Sequence, residues 1–528
     1  MSKNILTVFM LIFFVGASHR TWAQTDIDVL HYRFDILVNS INDSIQGTAQ
    51  VHFLARENKS NFTLDLVGQS EDGGMLVDQV SAGGRQVDFS QDLDQLMIES
   101  AISKGDTATV TIKYAGVPKD GLIISQNRHG HKTFFGDNWP VRAKNYLPVM
   151  DRPDDKASVD WYITAPEYMS VVANGKLVSS QWHGGMYKDW HYREATPIPT
   201  KVMVFGAAKL ASWEIDGQGI PMKGFAYAED SAKMHGALRV TNKVMDFFSE
   251  YIGPYPFEAL WQVQSTTRYG GMENAGNIFY DENAVDDPKK METLVAHEIA
   301  HQWFGNTVTE ASWNDLWLSE GFATYFTAMY LEHEYGTAAL NEYMGQARER
   351  LLAFKAKFPS KVVRPGGNPD PSKLLNAYSY QKGAWVLHML RQEIGDAAFH
   401  AGIQKYYNTY KGKNASTADF ERVMQSTTKR NLKGFFQHWL ETPLLPRLSY
   451  TVAYDKEHKE TIVTVKQHQD KLVKIKIEFM AITFEGDKIY FSRDLDQLEQ
   501  TFRLQTGEQV NAIKLDPNDQ ILFLVGDN

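Results

Sequence analysis

Residues 294–326 read LVAHEIAHQWFGNTVTEASWNDLWLSEGFATYF, and this stretch decides what the rest of the chain is built around. It contains His297 and His301, which are four residues apart. On a helix, side chains with that spacing lie one turn apart on the same face, so both imidazoles can bind one metal ion. Glu298 lies between them. The stretch therefore predicts a metal site with a carboxylate beside it.

A third ligand is expected further along the same stretch. A catalytic zinc site uses three protein ligands and keeps one position open for water. The chain has no cysteine, so the ligand must be His, Asp or Glu. Glu320 follows His301 after eighteen residues, in an apolar segment with helical periodicity. The first helix is expected to end near Gly305 and Asn306, so that a second helix brings Glu320 back to the metal.

The alternative is a chance HExxH match, in which His297 and His301 are ordinary helix residues. The local sequence argues against it. Asp287 and Pro288 provide an N-cap and a first helical residue where the helix of the motif should begin. The prediction is one Zn²⁺ per chain, bound by His297, His301 and Glu320.

The chemistry expected of such a site is hydrolysis. Zinc lowers the pKa of its water toward about 7 and polarises a carbonyl group. Glu298, next to a ligand on the same helix, is the expected general base that takes the proton of the water. The alternative is that Glu298 is an exposed helical glutamate with no catalytic role.

A second motif, GGMENAG, occupies residues 270–276. With HEIAH and the glutamate of WLSEGFA, it resembles the aminopeptidase N family of gluzincin metallopeptidases. The resemblance is strong over about residues 251–390 and mainly architectural elsewhere. It implies a zinc aminopeptidase with a thermolysin-like catalytic domain, acting on peptide substrates that have a free N-terminus.

The resemblance also implies roles for residues outside the metal site. Glu273 would bind the free α-ammonium, and the backbone before it would pair with the substrate main chain. Tyr380, in a Tyr-x-Lys-Gly setting, would stabilise the oxyanion, with Tyr378 as the nearby alternative. On its own, GGMENAG would be a glycine-rich turn with an exposed glutamate. The implied substrate-binding set is Gly270, Gly271, Met272, Glu273 and Asn274.

One segment departs from the pattern of the family. The family's loop over the active site is matched at Pro148, Asp151 and Pro153. Family members carry Glu or Gln nine residues before the position of Pro148, where it helps to bind the amine, and here that position is Trp139. Asn138 is its neighbour and offers an amide oxygen. Glu273 and the spare oxygen of Glu320 are therefore expected to carry more of the amine recognition than in relatives.

Composition bounds the class of protein. With 528 residues and 43% hydrophobic content, the chain is expected to form two to four domains. The formal net charge is −10 and there is no basic cluster, so nucleic acid is not an expected partner. The absence of cysteine excludes disulfides.

The N-terminus has the features of an export signal. Residues 1–23 contain one lysine, a short apolar run and small residues before Ala23. We interpret them as a cleaved secretory signal of a periplasmic or secreted bacterial protein. The alternative is an uncleaved anchor, but the apolar run is shorter than the ~20 residues that a spanning helix needs. No later segment is expected to span a membrane stably.

The predicted fold class is multidomain α/β. Short alternating strands indicate an N-terminal β-sandwich domain at residues 25–213. Over residues 214–443 the apolar period changes to about 3.6, which favours an α+β catalytic domain with a thermolysin-like fold. Strands return in residues 444–528 and predict a small C-terminal β-sandwich.

Three functional hypotheses remain. The leading one is a zinc aminopeptidase that hydrolyses N-terminal residues from peptides. A zinc endopeptidase is the alternative within enzymes. A non-catalytic zinc- or peptide-binding module is the alternative outside them, and the presence of Glu298 and Tyr380 argues against it.

Overall fold

The computed structural model describes residues 26–39, 41–217, 219–367 and 369–526. The predicted export signal at residues 1–23 lies outside these residues and stays a prediction. A β-rich region is followed by a largely helical region with small sheets and then by a second β region. The predicted multidomain α/β fold class is confirmed, while the residue limits of the three domains stay predictions.

An eight-stranded sheet dominates the N-terminal region. The strand Ile27–Val38 buries alternate side chains, as a sheet with one face on the core requires. It pairs in parallel with Lys156–Pro166 and antiparallel with Ile45–Ala55. The sheet order is Lys176–Gly184, Tyr187–Pro199, Lys156–Pro166, Ile27–Val38, Ile45–Ala55, Thr107–Val117, Gly74–Ala82 and Arg85–Gln86. Two smaller sheets contain Ser170–Ala173, Phe205–Ala208, Lys132–Gly136 and Leu122–Gln126, and Phe62–Asp65, Gln95–Ile98 and Phe89–Gln91.

A five-stranded sheet opens the central, largely helical region. Its order is Ala211–Glu214, Met222–Ala226, Leu260–Ser265, Asn277–Asp281 and Gly271–Met272. The strand Gly271–Met272 therefore lies at one edge of the sheet, where it pairs antiparallel with Asn277–Asp281. A two-stranded sheet pairs Val308–Glu310 with Lys413–Ala415.

Nine α-helices of the described residues follow this sheet or lie within the same region. They are α1 (Ser231–Ala237), α2 (Thr241–Tyr251), α3 (Pro288–Ala300), α4 (Trp317–Tyr335), α5 (Thr337–Lys357), α6 (Gly383–Ile394), α7 (Asp396–Tyr410), α8 (Thr417–Thr428) and α9 (Lys433–Glu441). Helix α4 is central, because its side chains from Trp317 to Tyr330 are all buried. None of the described helices has both the length and the apolar character needed to cross a lipid bilayer.

Two facing sheets form the C-terminal region. Val463, Phe479 and Phe502 belong to the buried cluster that the two sheets share. One sheet contains Glu499–Leu504, Glu460–Gln467, Arg447–Asp455 and Leu524–Val525, and the other contains Lys488–Leu495, Ile475–Ile482 and Ala512–Leu515.

Candidate metal centre and catalytic cleft

Helix α3 and its C-cap residue, His301, provide the first two candidate ligands, and the helix begins where the sequence predicts. The Asp287 side chain accepts a hydrogen bond from the Lys290 backbone N–H at 3.2 Å, and Pro288 is the first helical residue. The helix ends at Ala300, earlier than the predicted end near Gly305 and Asn306. The reason is a tighter last turn, in which the N–H groups of Gln302 and Trp303 bond three residues back.

Three donor atoms converge beside α3. His297 Nε2 lies 3.2 Å from His301 Nε2, and Glu320 Oε2 lies 3.7 Å from the first and 3.4 Å from the second. Glu320 Oε2 is buried and has no hydrogen-bond partner among the described residues. Two imidazoles and one carboxylate within 4.8 Å of one another fit the donor set of a catalytic zinc ion. The predicted ligands are therefore brought together.

The surroundings orient His301 and favour the ionised form of Glu320. His301 Nδ1 lies 3.2 Å from the Phe304 carbonyl oxygen and 3.1 Å from Ser319 Oγ, which leaves Nε2 directed at the metal position. Burial acts to lower the pKa of His301, but the Glu320 carboxylate raises it to about 9. Burial acts to raise the pKa of Glu320, yet His301 and His297 hold it below its usual value.

Glu298 is buried next to these groups and packs against the glycine-rich edge strand. Burial raises the pKa of its carboxyl group well above the usual value. A Cβ atom built on Gly271 would lie 2.3 Å from Glu298 Oε1, so the carboxylate occupies the space that a side chain would need. Gly270 has open space, with Leu294 Cδ1 as the nearest atom at 3.8 Å. The two glycines of the motif are therefore not equivalent.

Glu273 is attached to the metal helix through its backbone. Its carbonyl oxygen accepts hydrogen bonds from Gln302 Nε2 at 3.0 Å and from Asn306 Nδ2 at 2.6 Å. Gln302 also donates to the Glu298 carbonyl at 3.1 Å and accepts from the Gly276 N–H at 2.9 Å. The Glu273 side chain is only 6% exposed, and its Oε1 atom has no described partner. The carboxylate is thus available to a cation.

The other residues of the glycine-rich motif differ in exposure. Gly270 is exposed, Gly271 is half-buried and Met272 is buried. Because Gly271–Met272 is an edge strand, its free side can pair with an extended peptide. Asn274 is fully buried, and its carbonyl accepts a hydrogen bond from the Asn277 N–H at 3.0 Å.

Tyr380 and Tyr378 lie in one π-helical turn, Tyr378–Lys382, but face different surroundings. The Tyr380 ring is stacked 6.1 Å from the His297 ring, centroid to centroid. Burial and then the nearby carboxylates, first Glu320, raise the pKa of Tyr380, which keeps its hydroxyl protonated. Tyr378 instead packs against Phe354 at 5.9 Å. The geometry therefore favours Tyr380 as the donor near the metal.

Comparison with known proteins now identifies the family. Residues 236–439 match the Peptidase family M1 domain, and residues 29–202 match the Peptidase M1 N-terminal domain. The chain belongs to peptidase family M1. The resemblance predicted from GGMENAG and HEIAH is confirmed.

Relatives of this M1 chain include proteins named as aminopeptidases. Human glutamyl aminopeptidase is 28% identical over 360 residues, which are 62% of this chain and 37% of that protein. The solved structure of Legionella pneumophila aminopeptidase A, in complex with aspartic acid, matches with a TM-score of 0.82 at 17% identity. The match covers 96% of this chain and 60% of the Legionella chain. A Deinococcus radiodurans M1 zinc metallopeptidase mutant, bound to a Tyr-Ser-Ala substrate, matches with a TM-score of 0.69 at 25% identity. The match covers 80% of this chain and 95% of the Deinococcus chain. The chain spans about a third to a half of the length of several curated relatives that it matches.

Membership of family M1 implies zinc, and the donor set described above fits that ion. At Trp139, where the resemblance implies Glu or Gln, the structure buries the indole ring. Trp139 is 2% exposed and packs edge-on against Trp313 at 5.7 Å. The Asn138 amide donates to the carbonyls of Thr200 at 3.1 Å and Met203 at 2.6 Å. Asn138 therefore uses its amide nitrogen to hold the adjacent chain.

Sequence reasoning missed several residues of the M1 site. Gln302 and Asn306 were not singled out, although Gln302 follows Glu298 by one helical turn and could have been found from that spacing. A buried ion pair between Lys201 Nζ and Glu310 Oε1, at 2.5 Å, was also missed. Its partners are 109 residues apart in the chain, so no local pattern links them.

Proposed function

We propose that this chain is a zinc aminopeptidase that removes N-terminal residues from peptides with a free amino group. The observation that carries the proposal is the position of Glu273. Its buried Oε1 atom has no described partner, and its backbone carbonyl accepts a hydrogen bond from Gln302, in the turn that directly follows α3 and His301. An amine bound there would lie at a fixed distance from the proposed metal.

The proposed reaction is hydrolysis without a covalent intermediate. One zinc ion per chain, bound by His297, His301 and Glu320, would activate a water and polarise the scissile carbonyl. The Glu298 carboxylate accepts the proton of the attacking water and returns it to the leaving amine. The Tyr380 hydroxyl donates a hydrogen bond to the oxyanion that develops on the substrate.

Substrate positioning is assigned to the glycine-rich motif. The free side of Gly271–Met272 pairs with the peptide main chain, and Gly270 leaves the approach open. Glu273 forms a charge-assisted hydrogen bond with the α-ammonium, which an acylated N-terminus cannot replace. Asn274 supports this turn from a buried position. The named Deinococcus relative has been solved with a peptide substrate, which agrees with a peptide as the ligand.

The setting of the enzyme is also a proposal. The apolar segment in residues 1–23 supports export to the periplasm or the outside of a bacterial cell. The net charge of −10 disfavours nucleic acid as a partner.

Three substrates separate the three hypotheses. The zinc-loaded protein is given an unblocked aminoacyl anilide, its N-acetyl analogue and an internally quenched peptide blocked at both ends. An aminopeptidase releases amine from the first alone, and a chelator abolishes this release until zinc is restored. Cleavage of the blocked peptide would instead establish an endopeptidase. Zinc binding without turnover of any of the three would establish a binding module.

A further inference from the structure

A cleft of about 520 Å³ opens beside the proposed metal centre, away from Glu273. One wall is α3, where Met291, Leu294 and His297 line the cleft at helical spacing. Glu273 is held just beyond the C-terminal end of the same helix, through Gln302. A peptide with its amine at Glu273 and its first carbonyl at the metal would therefore continue along α3 into this cleft.

The facing wall comes from α5 and from the turn that holds Tyr380. Tyr343 and Arg350 both line the cleft, and they are seven residues apart, which puts them on the same face of α5. Phe354, one turn after Arg350, contacts Tyr378 with its ring. Arg350 therefore lies on the side of the cleft that Tyr380 occupies.

Some charged groups of this cleft already form hydrogen bonds or ion pairs within the protein, and one does not. Asp287 caps α3 and lies 3.3 Å from Lys290 Nζ. Asp281 accepts hydrogen bonds from Asn283. Arg350 is exposed and has no hydrogen bond or ion pair within the part of the chain that the structure describes. Its guanidinium is free to bind an anion.

We propose that Arg350 binds the C-terminal carboxylate of short peptides and makes them the preferred substrates. This inference rests on the proposed aminopeptidase function. A guanidinium meets a carboxylate with two parallel hydrogen bonds, which gives both affinity and a defined direction. From His297 to Asp287, α3 covers about 15 Å, room for roughly four extended residues after the cleaved one. Because Arg350 lines this cleft, the substrate class is peptides of up to about five residues with a free carboxylate.

The test compares peptides of two to seven residues, each as the free acid and as the C-terminal amide. The value of kcat/KM for each pair is measured in the zinc-loaded wild type and in Arg350→Gln, Arg350→Lys and Lys290→Gln. In the wild type, kcat/KM of the acid is expected to exceed that of the amide by about tenfold at one or more lengths up to five residues, and the difference should vanish for longer peptides. Arg350→Gln should lower the ratio of kcat/KM for the acid to kcat/KM for the amide to near one. Arg350→Lys should retain part of the preference for the acid. Lys290→Gln is the matched control, which removes a cation of the same cleft and should keep the ratio of the wild type.

Equal rates for acid and amide in the wild type would overturn the proposal, as would an unchanged ratio in Arg350→Gln. Equal loss in Lys290→Gln would show a general effect of charge and would overturn it too. The aminoacyl anilide has no carboxylate, so its hydrolysis by the wild type reports on the proposed function separately. If no turnover occurs, calorimetric binding of the same acid and amide pairs to the zinc-loaded protein decides the role of Arg350 alone.

Discussion

Replacing Gly271 by alanine should damage catalysis by displacing Glu298. The added Cβ would lie 2.3 Å from Oε1 and 2.5 Å from Cδ of the glutamate, whereas ordinary contacts begin at 3.4 Å. The carboxylate must therefore retreat by about 1 Å, and a misplacement of that size costs roughly 10²-fold in rate. Glu298 is not a metal ligand in the proposed site. We therefore expect kcat to fall about 100-fold while zinc content stays at one per chain.

The assay is anilide turnover beside metal content measured by atomic absorption. Gly270→Ala is the matched control, because the space around that residue is open and its nearest neighbour is Leu294 Cδ1 at 3.8 Å. Its kcat should stay close to that of the wild type, and any cost of the added methyl group to substrate binding should appear in KM. Wild-type kcat in zinc-loaded Gly271→Ala would refute the reasoning, since it would mean that Glu298 either tolerates the shift or does not act as the base. An equal loss of kcat in Gly271→Ala and Gly270→Ala would mean that the substitutions act by disturbing the backbone of the strand instead.

Three further substitutions test the remaining assignments. Glu298→Gln should bind zinc normally and lose about 10²–10⁴-fold in kcat, because general-base catalysis is removed; full zinc with near-native turnover would exclude the residue. Tyr380→Phe should lower kcat about 10²–10³-fold with a small change in KM, and the same pattern in Tyr378→Phe alone would move the role to that residue. Glu273→Ala should lose most activity on free aminoacyl substrates but keep any weak cleavage of N-acetylated analogues. An unchanged ratio of the two rates in Glu273→Ala would mean that the amine is bound elsewhere.

The metal ligands could be predicted because their geometry is local. One helical turn is enough to bring the side chains of His297 and His301 together. Asp287 and Pro288 mark the start of that helix as N-cap and first helical residue. Glu320 was identified by its spacing from the histidines, and the structure brings its carboxylate within 3.7 Å of both imidazole Nε2 atoms.

Other parts of the site depend on contacts between distant segments. Gly271 gives no sign in the sequence that Glu298 fills the space of its missing side chain. The pair Lys201 and Glu310 forms only once two regions of the chain pack together. Arg350 is one arginine among many until α5 places it in the cleft beside His297. Such features are set by tertiary packing, which periodicity and motif spacing do not report.

The three hydrogen bonds of Gln302 have a mechanical consequence. They join the carbonyl of Glu273, the carbonyl of Glu298 and the N–H of Gly276 through one rigid amide group. The edge strand and the metal helix are therefore expected to move as a single body, so thermal motion leaves the spacing between the amine site and the base unchanged. Any widening that admits a substrate or frees a product then has to come from the opposite wall, on α5 and the Tyr380 turn.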